Sequence, residues 1–208
     1  EGRRFWIVAT SDSHVNYADP SRPGGSDFWP GQYQKTYVHA ERTYDGILDG
    51  LRSGRVFGVA GDLISELDLA ASSGRDRAEA GGTLRLTRGK NVTVTVRFRD
   101  PDTPNARGEN PAVARVDLIV GNVNSRNEDR NTDRNVTTKV VSRFTRSHWT
   151  RRGDVYTVAT TLPAVSRNTY IRLRGTNTND EEPAMDVPGE DPWTDLWFYS
   201  NPIFIEVD

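Results

Sequence analysis

Residues 92–98 read Val-Thr-Val-Thr-Val-Arg-Phe, and this strict alternation decides the fold class. Side chains of a β-strand point to opposite faces with a period of two residues, so the three valines and Phe98 share one face. One apolar face and one polar face are typical of an antiparallel strand that covers a core on one side. The run therefore predicts a sheet that packs against a second layer.

Similar runs occur elsewhere, and turn-rich segments separate them. Six further strands are predicted at Leu63–Ala70, Ala114–Gly121, Thr137–Phe144, Asp154–Leu162, Asn168–Gly175 and Trp197–Val207. No helical period interrupts this region. The sequence therefore predicts an antiparallel β-sandwich of seven strands over residues 62–208, within a chain that is α+β or mainly β.

The chain before residue 62 contains one segment with the period of a helix. Its apolar residues recur at i, i+3, i+4 and i+7, and they are Tyr44, Ile47, Leu48 and Leu51. Thr43 suits the N-cap, and Gly54 suits the left-handed position after the C-cap. We expect a helix with one buried apolar stripe, followed by a strand over Arg55–Ala60.

A short motif, Ser11-Asp12-Ser13-His14, follows the apolar run Arg4–Thr10, which we expect to be a buried strand. A carboxylate and an imidazole two positions apart project to the same side of an extended segment, so both can bind one divalent metal ion. The alternative is that Asp12 caps a turn and that His14 is an ordinary, partly exposed histidine.

The order of these elements resembles the end of the PHP domain, named for polymerase and histidinol phosphatase. The matching features are a strand, Ser-Asp-Ser-His, a long loop, and a helix that ends in Leu-Arg-Ser-Gly-Arg-Val-Phe at residues 51–57. In that superfamily a distorted α/β barrel holds a cluster of divalent metal ions at the carboxyl ends of its strands. The resemblance implies that Asp12 and His14 are metal ligands, and it assigns no other ligand in this chain.

The resemblance covers about residues 1–61, which would be the carboxyl-terminal part of a PHP-like α/β domain, and 62–208 would be a separate β-sandwich domain. Residues 197–205 also resemble the closing strand of a β-rich extension in some bacterial members. The upstream ligands of the family, an early His-x-His pair, an acidic residue and further histidines, have no counterpart here. The only other histidines, His39 and His148, lie in no matching motif.

The resemblance therefore implies the carboxyl-terminal portion of a longer metal-dependent hydrolase, with the amino-terminal part of the PHP domain as its missing partner. The site for divalent ions, with zinc, manganese or iron as candidates, would be incomplete in this chain. We expect the chain to be inactive or weakly active alone. The implied substrate is a small-molecule ester, with a phosphoester as the default of the family.

Composition excludes several other classes of protein. With 27 basic and 29 acidic residues the net charge is −2, which argues against a nucleic-acid-binding protein. There is no cysteine, so disulfides, thiolate zinc sites and a cysteine nucleophile are excluded. No apolar run approaches the ~20 residues of a membrane span. The compartment is not fixed, and an extracytoplasmic location stays open.

A noncatalytic β-sandwich module that binds a carbohydrate, calcium or a partner domain is the alternative function. Polar loops at 122–135 and 177–191, and Asp100-Pro101-Asp102 with Glu109, offer oxygen ligands of the kind that Ca²⁺ prefers. Aromatic faces beside such loops can stack on sugar rings. The residues concerned are Trp149, Trp193, Trp197, Phe198 and Tyr199.

Overall fold

A computed structural model describes residues 4–11, 28–123, 135–183 and 191–208. These ranges contain one helix and thirteen strands: β1 (Gln34–Val38), α1 (Tyr44–Arg52), β2 (Val56–Ala60), β3 (Glu66–Ser73), β4 (Asp76–Glu79), β5 (Thr83–Leu86), β6 (Lys90–Arg99), β7 (Arg115–Asn122), β8 (Lys139–Thr145), β9 (Thr150–Arg152), β10 (Val155–Val165), β11 (Thr169–Thr176), β12 (Trp197–Ser200) and β13 (Ile203–Val207).

The strands form two sheets. Sheet A has the order β1-β2-β12-β11-β7-β8, and β13 follows β12 along the same edge of β11 and pairs with β5 on its other side. Sheet B has the order β4-β3-β6-β10-β9. Among the described strands only β13 and β5 pair in parallel. The prediction of a mainly β, antiparallel fold is therefore confirmed.

The core lies between the two sheets. Val92, Val94, Val96 and Phe98 are at most 1% exposed, and the threonines between them face away from the core, as the alternation predicts. Phe98 of sheet B approaches Phe198 of sheet A with the ring centroids 6.3 Å apart. The surface of sheet A that faces away from this core is called its outer face below.

The predicted strand over Trp197–Val207 is interrupted. Asn201 and Pro202 separate β12 from β13, and Pro202 has no backbone N–H to donate to a neighbouring strand. As a result β12 pairs with β2 while β13 pairs with β5. This break and the three short strands β4, β5 and β9 raise the number of strands after residue 62 from the expected seven to eleven.

The strand predicted at Arg55–Ala60 is β2, and it lies between β1 and β12 within sheet A. The helix region and the β-rich region therefore contribute to one sheet. β1 and β2 pair antiparallel. The described residues form no α/β barrel, so the barrel remnant stays a prediction.

Helix α1 begins and ends as predicted. The Thr43 hydroxyl accepts a hydrogen bond from the Gly46 N–H at 3.0 Å, and Gly54 adopts φ +72° after the last turn. The prediction of a buried stripe is wrong, because Tyr44 is 79% exposed and Ile47 is 45% exposed. The helix instead turns Gly50, which is buried, toward β1.

The prediction of a buried strand over Arg4–Thr10 is also wrong. Residues 4–11 pair with no strand, and Phe5 and Val8 are 73% and 56% exposed. The backbone is held by the side chains of Thr36 and Asn201, so no ladder of strand hydrogen bonds forms. We call these residues segment 4–11.

Gly54→Ala tests the packing of Trp6 on the last turn of α1. A Cβ at Gly54 would lie 2.3 Å from the Trp6 ring, in addition to the cost of the left-handed backbone. We expect chemical denaturation to show a loss of about 2–4 kcal/mol in the free energy of unfolding.

The matched control is Gly74→Ala, because Gly74 has φ +64° and open space where a Cβ would lie. This variant should lose only about 1–2 kcal/mol, the cost of the backbone conformation. Equal losses in the two variants would show that Trp6 does not pack on this turn.

Candidate functional site

The predicted metal ligands Asp12 and His14 lie outside the described residues, so their role stays a prediction. The residues on either side of that interval are close together, because the carbonyl of Ser11 accepts a hydrogen bond from the Phe28 N–H at 3.4 Å. The chain therefore leaves and returns at one point beside the start of β1.

An aromatic cluster forms one side of this point. The ring of Phe28 lies 4.3 Å from that of Tyr33 and 5.7 Å from that of Trp193, and Tyr33 and Trp193 are 4.9 Å apart. The Tyr33 hydroxyl donates to the carbonyl of Pro192 at 2.5 Å. Tilted and edge-on contacts of this kind stabilise aromatic clusters beyond simple burial. The cluster fixes Phe28, and through it the carbonyl of Ser11.

A lysine–carboxylate pair lies close by, after the end of β2. The Gly61 N–H donates to the carbonyl of Tyr33 at 2.9 Å, and the Lys35 ammonium contacts the Asp62 carboxylate at 2.5 Å. Burial, and to a lesser extent the charge of Asp62, raises the pKa of Tyr37, which stays protonated at neutral pH. Because Lys35 neutralises Asp62, this pair does not by itself form a cation site.

The described residues contain no group of three or more His, Cys, Asp or Glu side chains placed to hold a metal ion. In the same ranges, no helix has the length and apolar character required to cross a membrane.

The loop with the predicted oxygen ligands at 100–109 has an internal structure of its own. The Asp100 carboxylate is 8% exposed and accepts from the Val113 N–H at 3.0 Å. The Asn105 side chain accepts from the backbone N–H groups of Arg107 and Glu109, and it donates to Gly61. These contacts close the loop without a cation, and calcium binding here stays a prediction.

In its described part, the acidic loop at 177–191 is held in place by salt bridges to arginines. Glu182 pairs with Arg174, and Asp191 pairs with Arg107. These contacts lower the pKa of both carboxyl groups, because the ionised form accepts hydrogen bonds from a guanidinium. Residues 184–190, and 124–134 of the other polar loop, lie outside the described part of the chain.

Three of the aromatic residues considered for sugar stacking are buried. Trp149 is 8% exposed and lies edge-on to Phe98, while Phe198 is in the core. Trp197 is 6% exposed and lies beneath the Arg174 guanidinium, which is 5.5 Å from the ring centroid. These side chains present no open face to a sugar ring.

A buried charge cluster covers the β7–β11 part of the outer face of sheet A. Asp117, which is 1% exposed, accepts from the Nε of Arg115 at 2.9 Å and from the Nε of Arg174 at 3.1 Å. The two arginines also donate to the backbone carbonyls of 179–181. The cluster therefore fastens the acidic loop to the sheet, which makes its role structural.

Sequence reasoning missed Asn201 and Thr36, which hold segment 4–11. Asn201 is 0% exposed, and its amide contacts both backbone groups of Ile7. The one local signal is the Asn-Pro pair, which marks a break in a strand. That signal does not reveal a contact 194 residues away in the chain.

Comparison of the chain with protein-family models, with curated proteins and with solved structures gives no match. The functional proposal therefore depends on the motif and on the contacts described above.

Asp117→Asn should strongly destabilise the protein. The substitution keeps the shape of the side chain but leaves the buried Arg115 without a carboxylate and removes one of the two carboxylates that pair with Arg174. We expect a loss of about 3–5 kcal/mol in the free energy of unfolding. Glu79→Gln is the control, since its pair with Arg77 is exposed and should contribute less than ~1 kcal/mol. Similar losses in urea titrations of both variants would contradict this reading of the cluster.

Asp100→Asn should change the pH dependence of stability. Burial raises the pKa of Asp100 above the ordinary 3.8, so the folded state binds this proton more tightly than the unfolded state. The parent chain therefore loses stability as the pH rises from about 3.8 through the raised pKa, and the variant should not. We expect the variant to gain stability relative to the parent as the pH rises through this window.

The measurement is urea unfolding at a series of pH values from 3 to 7. Asp76→Asn is the control, since Asp76 is exposed and is not one of the groups that shift the pKa of Asp100. A stability difference between Asp100→Asn and the parent that is the same at every pH would refute the role assigned to burial.

Proposed function

We propose that this chain is the carboxyl-terminal portion of a metal-dependent hydrolase of the PHP kind that cleaves a small-molecule ester, with a phosphoester as the first candidate. Support comes from the order of elements around the motif. An extended segment, in place of the expected strand, precedes Asp12, and α1 and then β2 follow later in the chain in the order that the resemblance implies.

One observation carries this proposal, which is the exposed apolar surface on the two elements that flank the motif. The exposed side chains are Phe5, Val8, Tyr44 and Ile47. Exposed apolar residues of this size, when they lie together, mark surfaces that other protein covers. In a complete α/β barrel, neighbouring strands and helices pack against both of these elements. In this proposal, the upstream part of the same polypeptide supplies those strands and helices.

Segment 4–11 and α1 contact each other, so one further layer of protein would cover the exposed side chains of both. The Trp6 indole N–H donates to the carbonyl of Arg52 at 2.9 Å, and its ring lies against Gly54. Leu48 and Leu51 are only half-buried, so the helix also has apolar surface left to pack. These apolar side chains are the ones that the upstream part of the polypeptide would cover in this proposal.

Divalent metals bound in the complete protein would activate a water molecule and stabilise the charge of the transferred group. Asp12 and His14 would supply one carboxylate and one imidazole ligand. Two ligands do not satisfy an ion that takes four to six, and the described residues add no cluster to them. We therefore assign no catalytic step to this chain alone.

The alternative function, a noncatalytic module, is supported in one of its forms. The same exposed apolar surface fits a partner domain, whereas the buried aromatic residues remove support from the carbohydrate form. The hydrolase and the module that binds a partner domain differ in metal content, because only the hydrolase needs Asp12 and His14 as ligands.

The test compares two proteins, which are this chain and the product of the full reading frame that contains it. We expect the longer protein to hold divalent metal by elemental analysis and to hydrolyse phosphoesters, and this chain to do neither at a comparable level. His14→Ala in the longer protein should lower metal content and rate while thermal unfolding changes little, because the resemblance assigns His14 to the metal site.

His39→Ala is the matched control, since His39 is half-exposed and belongs to no metal motif. Unchanged metal content in His14→Ala would exclude His14 as a ligand. Robust turnover by this chain alone, abolished by Asp12→Ala, would show that no upstream part is needed.

A further inference from the structure

We propose that the outer face of sheet A carries a binding groove for an extended peptide, that segment 4–11 occupies it, and that the groove accepts the same segment from a second copy of the chain. The groove is formed by Thr36, Gly54, Gly58, Asn201 and Phe204. The inference does not depend on metal binding or on the proposed function.

Two side chains of the groove recognise the peptide backbone. The Asn201 amide accepts from the Ile7 N–H at 2.9 Å and donates to the Ile7 carbonyl at 3.2 Å. The Thr36 hydroxyl accepts from the Ala9 N–H and donates to the Ala9 carbonyl, both at 2.8 Å. Residues 7 and 9 are two apart, so the two clamps match the period of an extended chain. Contacts of this type hold a strand-like peptide without requiring a particular sequence.

The two clamps, Asn201 and Thr36, are fixed parts of sheet A, because neither side chain is exposed. Asn201 is fully buried and also donates to the carbonyl of Val56 at 3.3 Å, which fixes the direction of its amide. Thr36 is half-buried on β1 and pairs in register with Gly58 of β2. A site built in this way exists whether or not the peptide comes from the same molecule.

The side chains of the peptide provide selectivity. Trp6 lies against Gly54 and 6.1 Å from the Phe204 ring, and its N–H donates to a backbone carbonyl of α1. A Cβ built on Gly58 would lie 3.1 Å from that of Ala9, so the absence of a side chain at Gly58 lets Ala9 approach the sheet closely. The groove therefore selects an aromatic residue at position 6 and provides room for the backbone of residue 9.

The contacts that bind segment 4–11 are made mostly by side chains, and part of the segment stays open to solvent. Arg4 lies 4.5 Å above Phe204 and also contacts Thr83 and Glu206, while Phe5 and Val8 remain exposed. No strand ladder reinforces these contacts. A segment held in this way can be released without disturbing the core between the sheets.

A second copy is the natural source of a replacement, because the same residues then make the same contacts. Sixteen residues, 12–27, connect the segment to Phe28, and a fully extended connection of that length spans at most about 55 Å. Exchange of an identical element between copies needs no new complementary surface. Intramolecular binding is favoured by an effective concentration in the millimolar range, so exchange should be detected at high protein concentration or after refolding.

Because the chain has no cysteine, cross-linking can test the exchange directly. Ala9→Cys and Gly58→Cys are made in separate chains, mixed in denaturant at high concentration, refolded and oxidised. A disulfide between the two chains forms at these positions only if the segment of one copy occupies the groove of the other. We expect a cross-linked dimer, and we expect the double variant A9C/G58C to form the same bond within one molecule.

The experiment has a background control, a variant without the aromatic anchor and a version that uses a free peptide. Pairing Ala9→Cys with Gly74→Cys, a cysteine on an exposed turn of sheet B, measures random oxidation. Adding Trp6→Ala to the Ala9→Cys chain removes the aromatic anchor and should lower the cross-linked fraction by about tenfold or more. A peptide of residues 4–11 that carries the same cysteine should label folded Gly58→Cys protein, which avoids any dependence on refolding.

Cross-linking between chains at the random level, with the double variant still oxidised internally, would overturn the exchange and leave the segment as a fixed part of its own molecule. Failure of the double variant to oxidise would overturn the placement of Ala9 over Gly58. Labelling by the peptide that is insensitive to Trp6→Ala would overturn the selectivity assigned to the groove.

Discussion

The interruption of the last strand at Asn201–Pro202 is the constraint on which sheet A depends. Without it, a single long strand would extend beside β11 with one neighbour along its free edge. With it, β12 pairs with β2 and β13 pairs with β5, so three separate parts of the chain meet at one point. The amide of Asn201 donates to the carbonyl of Val56, which precedes the residues of β2 that pair with β12, and it contacts both backbone groups of Ile7, so it holds segment 4–11.

The two faces that point away from the core differ in how they are covered. On sheet A, segment 4–11 and α1 cover the β1–β2 end, and the acidic loop fastened by Arg115 and Arg174 covers the β7–β11 end. On sheet B, the corresponding face carries an ion-pair network of Glu66, Arg97 and Arg99 and has no such covering layer in the described residues. The exposed apolar side chains of segment 4–11 and α1 and the proposed peptide groove both lie on the outer face of sheet A.

Local patterns in the sequence predict the local structure well. The alternation at 92–98 gives the inward and outward faces of β6, and Thr43 and Gly54 give the two ends of α1, because each depends only on neighbouring residues. The pattern does not predict what covers a face. The stripe on α1 is apolar but exposed, and Asp117 occupies an outward position that resembles a solvated one but is sealed by a loop 60 residues later. Contacts such as Asn201 with Ile7 depend on the whole topology, and the metal-ligand motif itself lies outside the described residues.

The pairing order of sheet A also determines when the protein can fold during synthesis. Sheet B uses strands from residues 66 to 165, so its hairpins can form while the rest of the chain is still being made. β2 and β5 wait for β12 and β13, which are synthesised more than 100 residues later. Pairings at such long sequence separation are slow to form, and their unpaired edges are prone to aggregation meanwhile. Sheet A is therefore a natural client for chaperones until β12 and β13 have been synthesised.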